Sequence, residues 1–412
     1  MQKYFVFILP FFLFTFSYSV NKVSVGLKIF PKDSIIKIDG NVIDNKKNKI
    51  LLVEGKHNVA ISAKGFIDKS FEIYPKKNVA IEEKLEKDSP IIKQVVEIKT
   101  GSQPKSVRFT PDGRFLLVPL LDDDGVDIID VNDKKVFKRI VFPVNIAKKK
   151  GFVETAISRR NNEFWVSQIT TGMVHVIDMN NFELKKSINV KGKYPKVILF
   201  NRDETRAFVS NWASNDISII DTNTYDVIKK IKTYGIPRGI VLSPDEKYLY
   251  ASLFDKNEIV KIELDTGRIV KHIICGKSMR HLVADYNKGV FFASSMGQGK
   301  VYKISFDDKI LKENFIGLKI NTIALSPDKS ILYASSRGPN GKKGYLYKGD
   351  EFGKVFVLDA DTLEIIEWVY GRNQPTGLDI SPDGNILAFS DFLDQNIEFY
   401  RINNKFLKIK KD

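Results

Sequence analysis

A turn signal recurs seven times in this sequence, and the recurrence limits the possible folds more than any other feature. In Ser243-Pro244-Asp245, proline presets φ and the short polar side chains can bond to nearby backbone, which is typical of a tight turn. Matching positions follow one another at intervals of 41 to 55 residues. We call them the turn anchors: Thr110, Ser158, Asn201, Ser243, Asp285, Ser326 and Ser381.

A second marker follows an apolar run in every repeat and keeps a nearly constant distance from the anchor. The distance is 20 residues in the first five repeats, 33 in the sixth and 22 in the seventh. Each repeat holds short alternating apolar segments between turn signals, which indicate strands. A four-stranded unit of roughly 40–45 residues is typical of a propeller blade. The sequence therefore predicts an all-β, seven-bladed β-propeller, with markers Asp130, Asp178, Asp221, Glu263, Ser305, Asp359 and Asn403.

The stretch 208–245, in blades three and four, carries a resemblance to a known repeat. The segments FVSN at 208–211, SNDISIIDT at 214–222 and SPD at 243–245 look like the YVTN β-propeller repeat. The resemblance covers about 92–403, although blades two and five lack the proline after the anchor. It implies the fold and leaves the function open, because propellers include both enzymes and scaffolds.

The N-terminal residues predict export. A lysine precedes an apolar run at 4–16, and small residues stand at Ser17 and Ser19. This pattern predicts a signal peptide at 1–19, with an uncleaved anchor as the alternative. The protein is then expected in the periplasm, at the cell surface or secreted, without a transmembrane span once the signal is removed.

Residues 20–86 predict a small β-sandwich of six strands separated by turn pairs such as Asp39-Gly40. The segments IDG at 38–40, VEGKHNV at 53–59 and AKGF at 63–66 resemble a PEGA domain, a module often attached to envelope proteins. His57 is interpreted as structural. A polar linker at 87–92 precedes the propeller at 93–412. Either the segment 91–99 or the segment 406–410 could supply the strand that closes the ring.

Propeller topology predicts which loops share a face. In each blade, strand a lines the central channel and strand d is outermost, so d–a and b–c loops lie together. We call this side the cationic face, because the position five residues before each anchor is mostly basic there. Extra residues also fall on it, at PVNIAKKKG (143–151) and in a blade-six insertion at 337–353. The positions before the anchors are Lys105, Val153, Lys196, Arg238, Arg280, Asn321 and Thr376.

Basic and aromatic residues on this face predict a binding site. A ring of like charges around a concave channel focuses a positive potential and favours anionic ligands. Trp212 lies in a b–c loop, and exposed aromatic rings beside cations suit protein, glycan or lipid-headgroup contacts. Lys148, Lys149, Lys150, Lys342 and Lys343 add charge to the same side. The predicted binding residues are Lys105, Lys196, Arg238, Arg280, Trp212, Arg337, Tyr345 and Tyr347.

Signals for catalysis are weak. The histidines at 57, 175, 272 and 281 lack metal-ligand spacing, and no GxSxG motif is present. Asp122-Asp123-Asp124 could hold a cation, but three loop aspartates are more often solvated. The single cysteine, Cys275, lies in an apolar run and is interpreted as a packed thiol. No catalytic residue, metal or cofactor is therefore expected.

The predicted function is binding or scaffolding in the cell envelope. The net charge of +15 favours anionic partners, and export argues against nucleic acid. We expect a monomer whose cationic face engages an envelope protein, a glycan or another anionic ligand. The alternative is an enzyme, because propellers similar to this one include lactonases and quinone-dependent dehydrogenases. That resemblance would imply a metal or an anionic cofactor in the channel.

Overall fold

A computed structural model describes residues 21–44, 47–142 and 150–409 of the 412-residue chain. The predicted signal peptide and two of the predicted basic residues, Lys148 and Lys149, lie outside the described residues. The chain divides into two compact units, Met1–Leu85 and Glu86–Asp412. No helix of the described part is long and apolar enough to cross a membrane.

The N-terminal unit contains two sheets, one of three strands and one of four. Apolar side chains of both sheets, including Val25 and Ile61, belong to one buried cluster. His57 joins two turns: its Nδ1 lies 2.6 Å from Asp39 Oδ2 and its Nε2 lies 2.8 Å from the carbonyl oxygen of Val53. The strands are β1 (Lys22–Phe30), β2 (Ile35–Ile38), β3 (Asn41–Ile43), β4 (Lys49–Val53), β5 (His57–Ser62), β6 (Lys69–Ile73) and β7 (Val79–Lys84). They pair in the orders β4-β1-β7 and β3-β2-β5-β6.

Seven four-stranded antiparallel sheets form the second unit, one for each predicted repeat. The strands of each blade follow in the order a to d: in blade one, β9 (Arg108–Phe109), β10 (Phe115–Pro119), β11 (Val126–Asp130) and β12 (Lys135–Ile140); in blade two, β13 (Phe152–Ser158), β14 (Glu163–Gln168), β15 (Met173–Asp178) and β16 (Glu183–Asn189); in blade three, β17 (Pro195–Phe200), β18 (Arg206–Asn211), β19 (Asp216–Asp221) and β20 (Val227–Lys232); in blade four, β21 (Pro237–Leu242), β22 (Tyr248–Leu253), β23 (Glu258–Glu263) and β24 (Ile269–Ile274); in blade five, β25 (Met279–Asp285), β26 (Val290–Ser295), β27 (Lys300–Ser305) and β28 (Ile310–Phe315); in blade six, β29 (Ile320–Leu325), β30 (Ile331–Ser336), β31 (Lys354–Asp359) and β32 (Ile365–Tyr370); in blade seven, β33 (Pro375–Ile380), β34 (Ile386–Asp391), β35 (Asn396–Ile402) and β8 (Ile92–Lys99).

The ring is closed by the segment that precedes blade one. Strand β8 pairs with β35 from Ile92 opposite Ile402 to Lys99 opposite Asn396. The competing C-terminal segment forms a short helix instead, α1 (Asn404–Ile409). The innermost strands of neighbouring blades are in contact, including β33 with β9. The structure thus settles the alternative that the sequence left open.

The anchor explains why the turn signal recurs. Ser243 Oγ accepts the backbone N–H of Tyr248 at 3.0 Å and donates to Asp245 Oδ1 at 2.6 Å. The same two bonds form around Thr110, Ser326 and Ser381. The large apolar clusters contain side chains of adjacent blades, such as Phe208 of blade three and Leu249 of blade four. Each sheet therefore buries its faces against its neighbours.

Candidate functional site

Basic side chains from separate blades meet at one mouth of the channel. Each strand a enters the channel from its d–a loop, so the position five residues before the anchor lies at the rim. Lys105, Arg238 and Arg280 are 8%, 4% and 7% exposed, and Lys196 is half-buried. Arg337, from the blade-six insertion, is 4% exposed. We call these five residues the cation ring: Lys105, Lys196, Arg238, Arg280 and Arg337.

Serine hydroxyls fix the backbone of this ring. Nine residues after the anchor, Ser210 and Ser252 donate 2.9 Å bonds to the carbonyl oxygens of Arg238 and Arg280 in the next blade. Ser167 does the same for Lys196, at 2.8 Å. Ser252 also accepts the N–H of Gly239 in its own blade, at 2.8 Å. One hydroxyl therefore links two blades where the charged side chains begin.

The ring is electrostatically strained. Burial, and next the charge of Arg337, hold the pKa of Lys105 well below its ordinary value. Burial, together with repulsion from Arg238 and Arg280, lowers the pKa of Lys196 to about 7. The pKa of Arg280 also falls well below its ordinary value, through burial and the charge of Arg238. Desolvation and like charge both disfavour the cationic forms, so an anion placed between them would relieve the cost.

One carboxylate partly compensates the ring. Glu154 Oε1 lies 3.0 Å from Arg238 Nη2, and its charge also acts on Lys196 and Arg280. The other terminal nitrogen of Arg238, Nη1, has no hydrogen-bond partner among the described residues, nor has Nε of Arg337. Buried donors without partners are costly. These two N–H groups are therefore buried donors that lack an acceptor.

The insertion brings Arg337 to the ring and holds it there. Its guanidinium bonds to Gln374 Oε1, and Gln374 Nε2 donates to the carbonyl oxygen of Tyr345 at 2.7 Å. The Arg337 Cζ atom lies 5.4 Å from the centre of the Tyr345 ring. Lys105 Nζ lies 4.4 Å above the Phe392 ring, which also faces Arg337. Aromatic faces thus support two of the cations.

Two predicted aromatic residues behave differently from each other. Trp212 lies under Lys196, with Nζ 5.6 Å from its ring centre, and packs on Phe254 at 4.7 Å. Tyr347 is 53% exposed on the insertion, and its recorded ring contact is with Lys343 at 5.9 Å. The structure therefore brings Trp212 to the ring and leaves Tyr347 on the surface.

The channel wall contains two residues that sequence reasoning missed. Glu154 and His281 stand four residues before their anchors, one place beyond the basic position, and line a cavity of about 300 Å³. Burial lowers the pKa of His281 to about 4, so its imidazole is neutral at physiological pH. Its Nδ1 has no hydrogen-bond partner in the described part of the chain. At the opposite end of the channel, Asp379 lies 3.5 Å from Arg108.

The residues available for metal binding are few. Within the described ranges, no three His, Cys, Asp or Glu side chains lie close enough to hold a metal ion. In the aspartate run of blade one, Asp123 bonds to Arg139 at 3.0 Å and Asp122 lies 3.6 Å from Lys150. Burial raises the pKa of the Cys275 thiol to about 12, which leaves it protonated and unreactive. The ammonium and guanidinium N–H groups at the channel mouth suit an anion.

The comparisons with known proteins agree with the fold. The sequence matches the family described as "Lactonase, 7-bladed beta-propeller" over residues 66–273. It is also 35% identical to Antigen Lp49 of Leptospira interrogans serogroup Icterohaemorrhagiae serovar copenhageni (strain Fiocruz L1-130), over 93% of this chain and 86% of that protein. The chain belongs to the seven-bladed β-propeller lactonase family.

A solved structure supports the architecture of this lactonase-family propeller. Kuenenia stuttgartiensis Hydrazine Synthase superposes with a TM-score of 0.60, covering 73% of this chain and 95% of that chain at 20% identity. An identity this low concerns the fold alone. The family membership and the superposition together confirm the all-β, seven-bladed prediction.

Proposed function

We propose that this lactonase-family propeller is an exported anion-binding protein of the cell envelope. The observation that carries the proposal is the cation ring, in which five basic side chains converge and Glu154 is the carboxylate beside them. The ring is recessed, so a narrow anionic group such as a phosphate or carboxylate fits it better than a broad surface. The ligand would occupy the space among Lys196, Arg238 and Arg280.

The relative named as an antigen supports the proposed location. Antigen Lp49 is 35% identical over most of both chains, and an antigen of a bacterium is commonly exported. The N-terminal apolar run, the YVTN-like repeat and the PEGA-like residues are sequence predictions that fit the same setting. Two units in one chain would allow two attachments and raise avidity.

The proposal is tested by titrating inorganic phosphate into the full chain at low ionic strength and measuring the heat of binding. An Arg238→Gln/Arg280→Gln variant should lose roughly a hundredfold in affinity or more, because each charge-assisted hydrogen bond contributes about 1.5–3 kcal/mol. Arg159→Gln, on the opposite face, is the control and should bind like the parent. Equal binding by the ring variant and the parent would reject the site.

Lactone hydrolysis is the second candidate, and the family membership favours it. Glu154 and His281 line the channel beneath the ring, where an acid or a base would have to act on a bound lactone. Release of acid from γ- and δ-lactones, measured by pH-stat, tests this role. Metal analysis and an absorbance scan of the purified chain separate it from metal- or quinone-dependent chemistry.

A further inference from the structure

The cationic face carries an exposed apolar side chain on each of six consecutive blades. Five of them end a strand d or lie in the following d–a loop, and the sixth lies in the blade-six insertion. Their exposure runs from 48% at Tyr194 to 79% at Tyr234. We call them the apolar crown: Val141, Tyr194, Tyr234, Ile274, Phe315 and Tyr347.

Charge is distributed in the same asymmetric way. The sequence places no Asp or Glu in any of the seven d–a loops, whereas Lys191, Lys193 and Lys277 are exposed in them. The anchor turns on the opposite face carry carboxylates such as Asp245 and Asp328. The d–a loops are therefore basic, whereas both signs of charge occur on the opposite face and in the b–c loops, where Asp122, Asp255 and Asp350 are exposed.

This combination fits a bilayer surface better than a folded partner. Single exposed apolar residues are ordinary on protein surfaces. Here they surround a positive mouth and are separated from each other by polar loops, so they do not form the packed apolar core that is typical of a protein interface. A fluid interface accepts separated side chains at one level, and aromatic and basic residues are typical of that level.

We propose that the cationic face docks on the surface of an anionic lipid bilayer. A headgroup phosphate enters the cation ring, the loop lysines lie against neighbouring headgroups, and the crown inserts into the interfacial region. This inference rests on the proposed anion-binding function and names the partner of the same site. Each lysine near an anionic surface is expected to add roughly fivefold to binding.

Vesicle co-sedimentation of the full chain tests the inference. One set of vesicles is phosphatidylcholine alone, and the other is an equimolar mixture with phosphatidylglycerol. Wild-type protein should sediment with the mixed vesicles and lose affinity as salt is added. A Tyr234→Ser/Phe315→Ser variant should bind them roughly tenfold more weakly or worse. An Ile228→Ser/Val270→Ser variant, with similarly exposed side chains outside the crown, is the matched control.

Solution binding of glycerol phosphate separates this inference from the function on which it rests. The crown variant should keep its affinity for glycerol phosphate while losing the vesicles. If wild-type protein binds glycerol phosphate but ignores both vesicle types, docking is rejected and anion binding stands. Capture of polyglutamate without vesicle binding would also overturn the inference, in favour of an acidic protein partner. Equal loss in the crown and control variants would contradict the assignment of the crown. All variants share residues 1–19, so that segment cannot cause a difference between them.

Discussion

The carboxylate of Glu154 lies 3.0 Å from the guanidinium of Arg238 at the mouth of the channel, where Arg238 is buried and Glu154 is half-buried. Glu154 comes from blade two and Arg238 from blade four, so the pair reaches across blade three. It neutralises one charge of a five-membered ring and leaves Arg238 Nη1 without a partner. Glu154 thus compensates one charge of the buried positive cluster, and the remaining charges of the ring would be compensated by a bound anion.

Replacing Glu154 by glutamine should destabilise the free protein by about 3 kcal/mol, because it leaves an uncompensated buried charge. Added phosphate should recover most of that loss, since an anion that binds only the folded state stabilises it. Urea unfolding with and without phosphate measures both effects. Asp265→Asn, an exposed loop change, should leave stability unaltered. A loss that phosphate does not reduce would contradict the role assigned to the ring.

Anion binding should weaken as pH rises above about 7, because Lys196 has its pKa lowered to about 7 in the free protein. A bound anion favours the ammonium form, so binding takes up a proton above that pH. Arg238, Arg280 and Lys105 repel this ammonium, and Glu154 attracts it. The same titration affects folding. The lysine loses its proton at about pH 7 in the folded protein and at about pH 10.5 in the unfolded chain, so the free energy of unfolding rises between these two pH values.

Sulfate titrations in buffers of different ionisation enthalpy measure this proton uptake, because sulfate, unlike phosphate, does not itself titrate near neutral pH. Lys196→Met keeps the length of the side chain over Trp212 and removes the titrating amine. The variant should take up fewer protons and bind more weakly at pH 6. An affinity in the parent that is flat from about pH 6 to about pH 9 would exclude titration of the ring lysines.

The serine that positions Arg280 should matter for affinity without contributing charge. Ser252→Ala removes a bond to the Arg280 carbonyl and leaves the Gly239 N–H unpaired. The expected cost in unfolding free energy is about 1–3 kcal/mol, accompanied by a several-fold weaker phosphate affinity. Ser330→Ala, in a turn on the opposite face, is the comparison. Restored affinity in Ser252→Thr would identify the hydroxyl as the cause.

Strand β8 should be required for a stable propeller. A chain beginning at Glu86 retains the strand that pairs with β35 and should unfold in one cooperative transition. A chain beginning at Thr100 lacks it, exposes the edge of blade seven and should aggregate or melt at lower temperature. Circular dichroism and light scattering during heating measure both. Equal stability of the two chains would mean that β8 does not close the ring.

Repeated features were predictable from the sequence, and features present in one copy were not. The anchors predicted seven blades. The position five residues before each anchor predicted four of the basic residues at the channel mouth: Lys105, Lys196, Arg238 and Arg280. Glu154 and His281 were missed because no other blade carries an acid or a histidine at the matching place. Examining the position four residues before each anchor, instead of five, would have found both residues.

Local sequence patterns also could not predict which strands pair when they are far apart in the chain. Segments 91–99 and 406–410 are similar short apolar runs, and only the ladder with β35 distinguishes them. Strand β3 was not predicted because Asn41–Ile43 is too short to show alternation. Tyr347 was predicted as an exposed aromatic residue of the insertion beside basic side chains, and in the structure it is exposed with its ring 5.9 Å from Lys343 Nζ.

Anomalous diffraction from crystals grown with selenate tests the central claim most directly. Selenate is a tetrahedral dianion, and its selenium atom can be located without bias from the protein. We expect a strong peak among Lys196, Arg238 and Arg280, with oxygens within hydrogen-bond distance of Arg238 Nη1. Peaks confined to surface lysines, with none at the channel mouth, would contradict the assignment of the cation ring as an anion site.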